Sequence, residues 1–241
     1  MILHTYAHQP WLDREPGMTM GHWGSHFGRT TTWWEQSTAW MTYLARSQYL
    51  LQQGRFAADL LYFSGEGAPS GMRTEPKPPK GYDYDVCGAE VILHRLRVRN
   101  GRLVLPDGTA YRVLVLPQDS TMGSALLKRI TSLVKAGALV LGPRPQGSPG
   151  LQGYPDADRR LKEQAAELWG PVDGTKVTER GYGKGKIIWG RTPAEVLEGL
   201  GGGPDFEVQG RGVDFAAIHR TTGDTDIYFV SNQRDASAEA T

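Results

Sequence analysis

RVLVLPQDSTMGSALLKRITSLVKAGALVLG, residues 112–142, decides the fold class. Its opening 112–117 is a continuous apolar strand. The stretch 120–136 reads as a helix closed by Gly137, and 138–142 is a second short apolar strand. Strand, helix, strand with strands apolar on both sides is the pattern of a parallel sheet covered on both faces.

Upstream, AADLLYFS (57–64) reads as another buried strand, and the Gly- and Pro-rich 65–80 as a loop. Residues 85–96 are expected to form a helix capped by Asp83 or Asp85. VRNGRLVLPDG (98–108) holds an Asn-Gly turn and is expected to be a small hairpin. Downstream come a helix at 157–169, a strand at 186–189 and a short helix at 193–200. GYGKGK (181–186) lacks P-loop spacing and precedes a strand, so it reads as a hairpin turn.

Both flanks differ from this centre. Residues 33–53 repeat apolar side chains at roughly the 3.6 period, with an N-cap among residues 30–32 and a stop at Gly54. MILHTYAHQP (1–10) reads as a strand ending at Pro10. FAAIHR (215–220) and DIYFVSN (226–232) read as two strands of a hairpin. A lone strand and a lone hairpin are poor folding units, so the expectation is a piece of a longer polypeptide. It divides into a terminal βα unit at 1–55, an α/β domain at 56–204 and the start of a further β domain at 205–241, with GGGPD (201–205) as linker.

The 241 residues carry 27 basic and 26 acidic side chains, a net charge of +1. Such a balance offers no footprint for nucleic acid. No apolar run approaches the roughly 20 residues that span a bilayer, and 1–10 shows no signal-peptide pattern, which leaves the compartment open. A single cysteine, Cys87, excludes a disulfide framework and any multi-cysteine metal site.

The first forty residues carry the most unusual chemistry. They hold Trp11, Trp23, Trp33, Trp34 and Trp40 among seven tryptophans, and His4, His8, His22 and His26 among six histidines. Alternation puts His4, Tyr6 and His8 on one face of the first strand. In a (β/α)8 barrel, residues at the carboxyl ends of the strands build the active site. His8, Gln9 and Trp11 are therefore the expected substrate-binding residues. Their imidazole, amide and indole groups suit a polyhydroxylated ligand.

Other candidates are weaker. His4/His8 and His22/His26 have i, i+4 spacing, which aligns metal ligands only on a helix, and neither pair is placed on one, so no metal site is assigned. Cys87, expected inside a helix and outside any nucleophile elbow, reads as an inert buried thiol. Sugar hydrolysis ordinarily uses two carboxylates. Glu35 opens the long helix, Glu66 follows a strand, Glu75 lies in the Pro-rich loop, and Asp83 and Asp85 resemble caps. Glu35 and Glu66 are the catalytic candidates of a minimal hydrolase, but no acid/base pair stands out.

Several ordered stretches resemble glycoside hydrolase family 106, the α-L-rhamnosidases. HTYAHQPW (4–11), PGMTMGHWGSHFGRTTTWW (16–34) and YLARSQYLLQQG (43–54) are similar to the end of its catalytic barrel. ADLLYFSGE (58–66), GYDYDVCGAEVI (81–92), YRVLVLP (111–117) and 133–158 resemble its following α/β domain, and IHRTTGDTDIYFVSN (218–232) the start of its β-sandwich. The resemblance implies a doubly wound, mostly parallel, flavodoxin or class I amidotransferase-like sheet without the amidotransferase nucleophile. A remnant βα unit of a barrel precedes it and a short β-hairpin segment follows. It also implies inverting hydrolysis of terminal α-L-rhamnosyl linkages by two glutamates on barrel strands absent from this chain, with a bound calcium. The implied partner is a rhamnoside.

Two other readings stand beside this one: a non-catalytic α/β carbohydrate-binding or assembly module, and the minimal hydrolase above. The tryptophans of the long helix would expose an apolar patch, and a homodimer through that face is expected.

Overall fold

A computed structural model describes residues 32–67, 71, 74–210 and 212–239. The expected first strand, with His4, His8, Gln9 and Trp11, lies outside the described residues. A 3-10 turn, Trp34–Gln36, leads into α1 (Thr38–Leu51). Then follow β1 (Arg55–Phe56), β2 (Leu60–Phe63), β3 (Tyr84–Cys87), a π-helical turn at Val91–Arg95, β4 (Arg97–Arg99), β5 (Arg102–Val104), β6 (Ala110–Tyr111) and β7 (Val113–Val115). α2 (Ser124–Ala136), β8 (Leu139–Leu141), α3 (Ala157–Trp169), β9 (Glu179–Tyr182), β10 (Gly185–Ile188), α4 (Pro193–Gly199), β11 (Phe215–Thr221) and β12 (Asp226–Asn232) complete the order.

Among the described residues the main sheet runs β3-β2-β7-β8-β10-β9. Its strands are parallel except β9, which pairs antiparallel with β10 at one edge. Ranked along the chain, the parallel strands lie in the order 2-1-3-4-5 of doubly wound sheets. The side chains explain the two covered faces. Leu61, Phe63, Leu114, Leu116, Val140 and Ile187 enter one core, with the apolar side of α2 and with Leu161, Leu168 and Trp169 of α3. Their neighbours Leu60, Tyr62, Val113, Val115, Leu141 and Ile188 enter the other, with Val196 and Leu197 of α4. Alternation along a strand sends successive side chains to opposite faces, so a continuous apolar run is needed.

The central expectations hold. α2, β8 and α3 fall where 112–142 and 157–169 put them. The Asn-Gly hairpin is β4–β5, with Asn100 at φ 51° and Gly101 at φ 74°, the positive pair that a two-residue turn of this kind requires. Residues 181–186 span the β9–β10 hairpin.

The helix expected at 85–96 does not form. Tyr84–Cys87 is a strand pairing parallel with Leu60–Phe63, and the helical stretch shrinks to Val91–Arg95. Long-range pairing with the buried β2 outweighs the local capping pattern of Asp83 and Asp85. Nor is the terminal hairpin alone. β1 pairs antiparallel with β11, giving a second sheet in the order β1-β11-β12. α1 packs against β12, and the Arg220 guanidinium donates to the carbonyls of Gln53 and Gly54 just beyond α1.

Candidate functional site

Glu35 lies exposed in the 3-10 turn before α1. Glu66 stands exposed beyond the carboxyl end of β2, where its carboxylate accepts the Gly123 N–H at the start of α2. That is the favourable place for a negative charge at a helix N-terminus. No hydrogen bond or ion pair joins the two glutamates. Cys87 ends β3 and is buried; burial above all, then the charge of Asp85, pushes its thiol up to about 12. A group so protonated is a poor nucleophile at neutral pH.

The carboxyl ends of the strands, where open α/β sheets ordinarily bind ligands, carry tightly bonded loops. Ser120 O accepts N–H groups from Gln146 at 2.6 Å and Gly147 at 3.2 Å, and Met122 N–H donates to Gly147 O at 3.0 Å.

A cavity of about 390 Å³ opens at the other end, between the amino end of β3 and the β11–β12 sheet. Lys80, Tyr82, Asp83, Asp205, Phe206, Glu207, Phe215, His219 and Tyr228 line it. The register of the terminal hairpin sets His219 directly opposite Tyr228. His219 Nδ1 lies 2.7 Å from Asp205 Oδ2, and Nε2 lies 2.9 Å from Asp226 Oδ1. The Tyr228 hydroxyl donates to Asp205 Oδ1 at 3.4 Å. Asp83 sits below, and burial first, then the charge of Asp205, raises its carboxyl above the usual range, while the His219 backbone N–H opposes that. Lys80 and Glu207 stand exposed at the rim without a hydrogen bond or ion pair among the described residues.

Backbone hydrogen bonds join two of the segments that line the cavity. Gly81 O accepts the N–H groups of Asp205 at 2.9 Å and Phe206 at 3.3 Å. Gly81 itself is at φ +82°, and a Cβ there would lie 2.7 Å from Phe206 O. Arg112 pairs with Asp59 at 3.3 Å and donates to Gly201 O at 2.6 Å, which fixes the Gly-rich linker. Asp205 and His219 also border a neighbouring cavity of about 400 Å³ at Arg55–Asp59 and Gly108–Ala110.

Sequence reasoning missed Asp205, His219, Asp226 and Tyr228 as a group. Hairpin register was the available signal, since it sets 219 against 228 and 221 against 226. Asp205 had none, because a linker aspartate finds its partner only through folding. Among the described residues no group of three or more His, Cys, Asp or Glu is placed to hold a metal ion. The calcium implied by resemblance therefore finds no such side-chain group among them. No helix among them is long and apolar enough to cross a membrane.

A family model described as alpha-L-rhamnosidase matches residues 1–241. A protein of Formosa agariphila named as a beta-glucuronidase is 40% identical over 240 residues, which cover 99% of this chain and 19% of that protein. A solved rhamnosidase from Novosphingobium sp. PP1Y superposes with a TM-score of 0.80 at 31% identity, over 92% of this chain and 21% of its own. The chain thus spans about one fifth of the length of these relatives.

Proposed function

The chain belongs to glycoside hydrolase family 106, the alpha-L-rhamnosidases, and on that premise we propose that it is a non-catalytic portion of an inverting enzyme that cleaves terminal α-L-rhamnosyl linkages. The whole-chain family match carries this reading, and the rhamnosidase superposition supports it. Residues 1–55 are proposed as the end of the catalytic barrel, 56–204 as an amidotransferase-like α/β domain without its nucleophile, and 205–241 as the start of a β-sandwich. His8, Gln9 and Trp11 are proposed as neighbours of the bound sugar, where an indole face packs on C–H groups and the amide and imidazole bond hydroxyls.

The two glutamates of inversion, one protonating the leaving oxygen and one activating water across the sugar, are assigned to barrel strands outside this chain. The engagement of Glu66 by the Gly123 N–H favours a structural role over proton transfer. The α/β domain is proposed as the scaffold against which the barrel end and the β11–β12 sheet are held. The Arg55 guanidinium donates to Asp107 O, the Ala57 N–H to His219 O and the Asp205 N–H to Gly81 O, ties that suit that task. The tryptophan face at the start of α1, where Trp34 and Trp40 are exposed, is the proposed self-association face of the isolated chain; a monomer by sedimentation at high concentration counts against it.

The test is a pair of aryl glycosides, an α-L-rhamnoside and a β-D-glucuronide, offered to this chain alone and to the chain extended N-terminally by a complete barrel. The reading expects turnover of the rhamnoside by the extended protein only. Turnover by the chain alone would transfer catalysis to its own carboxylates. An extended protein inactive on rhamnosides would remove the assigned substrate.

A further inference from the structure

We infer that the seam cavity lined by Tyr82, Asp83, Asp205, Phe206, Glu207 and Tyr228 binds a neutral mono- or disaccharide, at a site separate from the barrel end. Among the described residues, none that lines the cavity belongs to the segment 1–55 proposed to face the substrate of hydrolysis. The choice of a sugar among neutral polyhydroxylated ligands rests on the family reading above.

Size comes first: about 390 Å³ falls within the roughly 300–1,000 Å³ of small-ligand pockets. The walls come second. Tyr82, Phe206, Phe215 and Tyr228 supply aromatic surface for the C–H faces of a pyranose. Tyr228 stacks on His219 and remains 45% exposed, so part of its ring surface is available.

Charge decides between ligand classes. Among the described residues the rim offers one free ammonium, Lys80, and one free carboxylate, Glu207. Below them, Asp205 is already met by His219 and by the Tyr228 hydroxyl. An anion would enter beside Asp83, Asp205 and Glu207 and pay repulsion. A compact cation would find Asp205 taken and no three-ligand group to hold it. Hydroxyl groups both donate and accept, so they satisfy Lys80 and Glu207 together and leave no charge unmet. Asp83, half-buried in the same wall, adds carboxylate oxygens that accept from hydroxyl groups.

The experiment follows backbone amide shifts of the 241-residue chain titrated with L-rhamnose and D-glucose, with glucosamine and inorganic phosphate as ionic probes. Saturable shifts from a neutral sugar, centred on Gly81, Asp83, Phe206 and His219, are expected. Glu207→Ala, on the exposed rim, and Tyr228→Ala should each weaken that binding about tenfold. The rim variant keeps the test decisive if the loss of Tyr228 disturbs folding.

Three results would overturn the inference: no saturable shift with a neutral sugar at tens of millimolar, shifts confined to residues 1–55, or saturation by glucosamine or phosphate alone. Rhamnoside turnover by the barrel-extended protein is read separately. Turnover without seam shifts removes this inference and leaves the family reading. Seam binding without turnover upholds this inference and removes the assigned activity.

Discussion

His219 on β11 and Tyr228 on β12 lie face to face, ring centroids 4.2 Å apart and planes 10° from parallel. This cross-strand pair joins the terminal sheet to the linker, because the same imidazole reaches Asp205 in the linker and Asp226 at the start of β12. Asp205 is the more buried partner and Asp226 the more exposed one, so the two contacts differ in consequence when either partner is removed.

Replacing His219 by Ala removes the imidazole that meets the Asp205 carboxylate. A loss of about 1–3 kcal/mol in unfolding free energy is expected. Asp226→Asn touches the exposed end of the bridge and should cost at most about 1 kcal/mol. Urea unfolding of the two variants, with equal slopes, checks the order.

Asp83 gives a pH signature. Its folded carboxyl holds its proton to higher pH than in the unfolded chain, chiefly through burial. Below the ordinary aspartate range near about 4 that contribution to stability is fully present. As pH rises through the raised folded value it is lost, since the native state then binds more protons than the unfolded one. Asp83→Asn should flatten this decline and leave the variant at least as stable as the parent at neutral pH. Unfolding midpoints across the acid-to-neutral range measure it.

The opposite sign belongs to Asp173. Backbone N–H groups of Val177, Thr175 and Lys176 hold its carboxyl down to about 2. Its stabilisation is present above the usual aspartate range and is lost as pH falls toward about 2. Asp173→Ala should remove that acid limb and loosen the 173–177 loop, visible as faster amide exchange at Val177.

Trp169 is fully buried and its indole N–H donates to Gly142 O at 3.2 Å. Trp169→Ala is expected to cost about 3–5 kcal/mol, which approaches the whole stability of many domains. Trp169→Phe keeps most of the packing, and its excess cost from the lost hydrogen bond is about 1 kcal/mol. Thermal unfolding of both separates packing from bonding.

The doubly wound centre was legible because it is written locally. Leu114 and Val115 point to opposite faces and both are buried, so the sequence shows an unbroken apolar strand. The helix at 157–169 and the Asn100-Gly101 turn were legible for the same reason. Residues 84–87 were not, because YDVC becomes a strand only beside β2, some twenty residues earlier in the chain. β1 escaped notice because its partner Arg220 lies far along the sequence. The candidate cavity escaped for a related reason: Asp83, Asp205 and His219 come from three separate segments. The residues proposed to face the substrate, His8, Gln9 and Trp11, rest on strand alternation and aromatic chemistry together with the family resemblance.

The most direct test of the central claim is the anomer released from an aryl α-L-rhamnoside by the barrel-extended protein, followed by proton NMR from the first turnover. The account predicts release of rhamnose first as the β-anomer, as one-step inversion requires. First release of the α-anomer, or hydrolysis of the β-glucuronide with no rhamnose released, would contradict it.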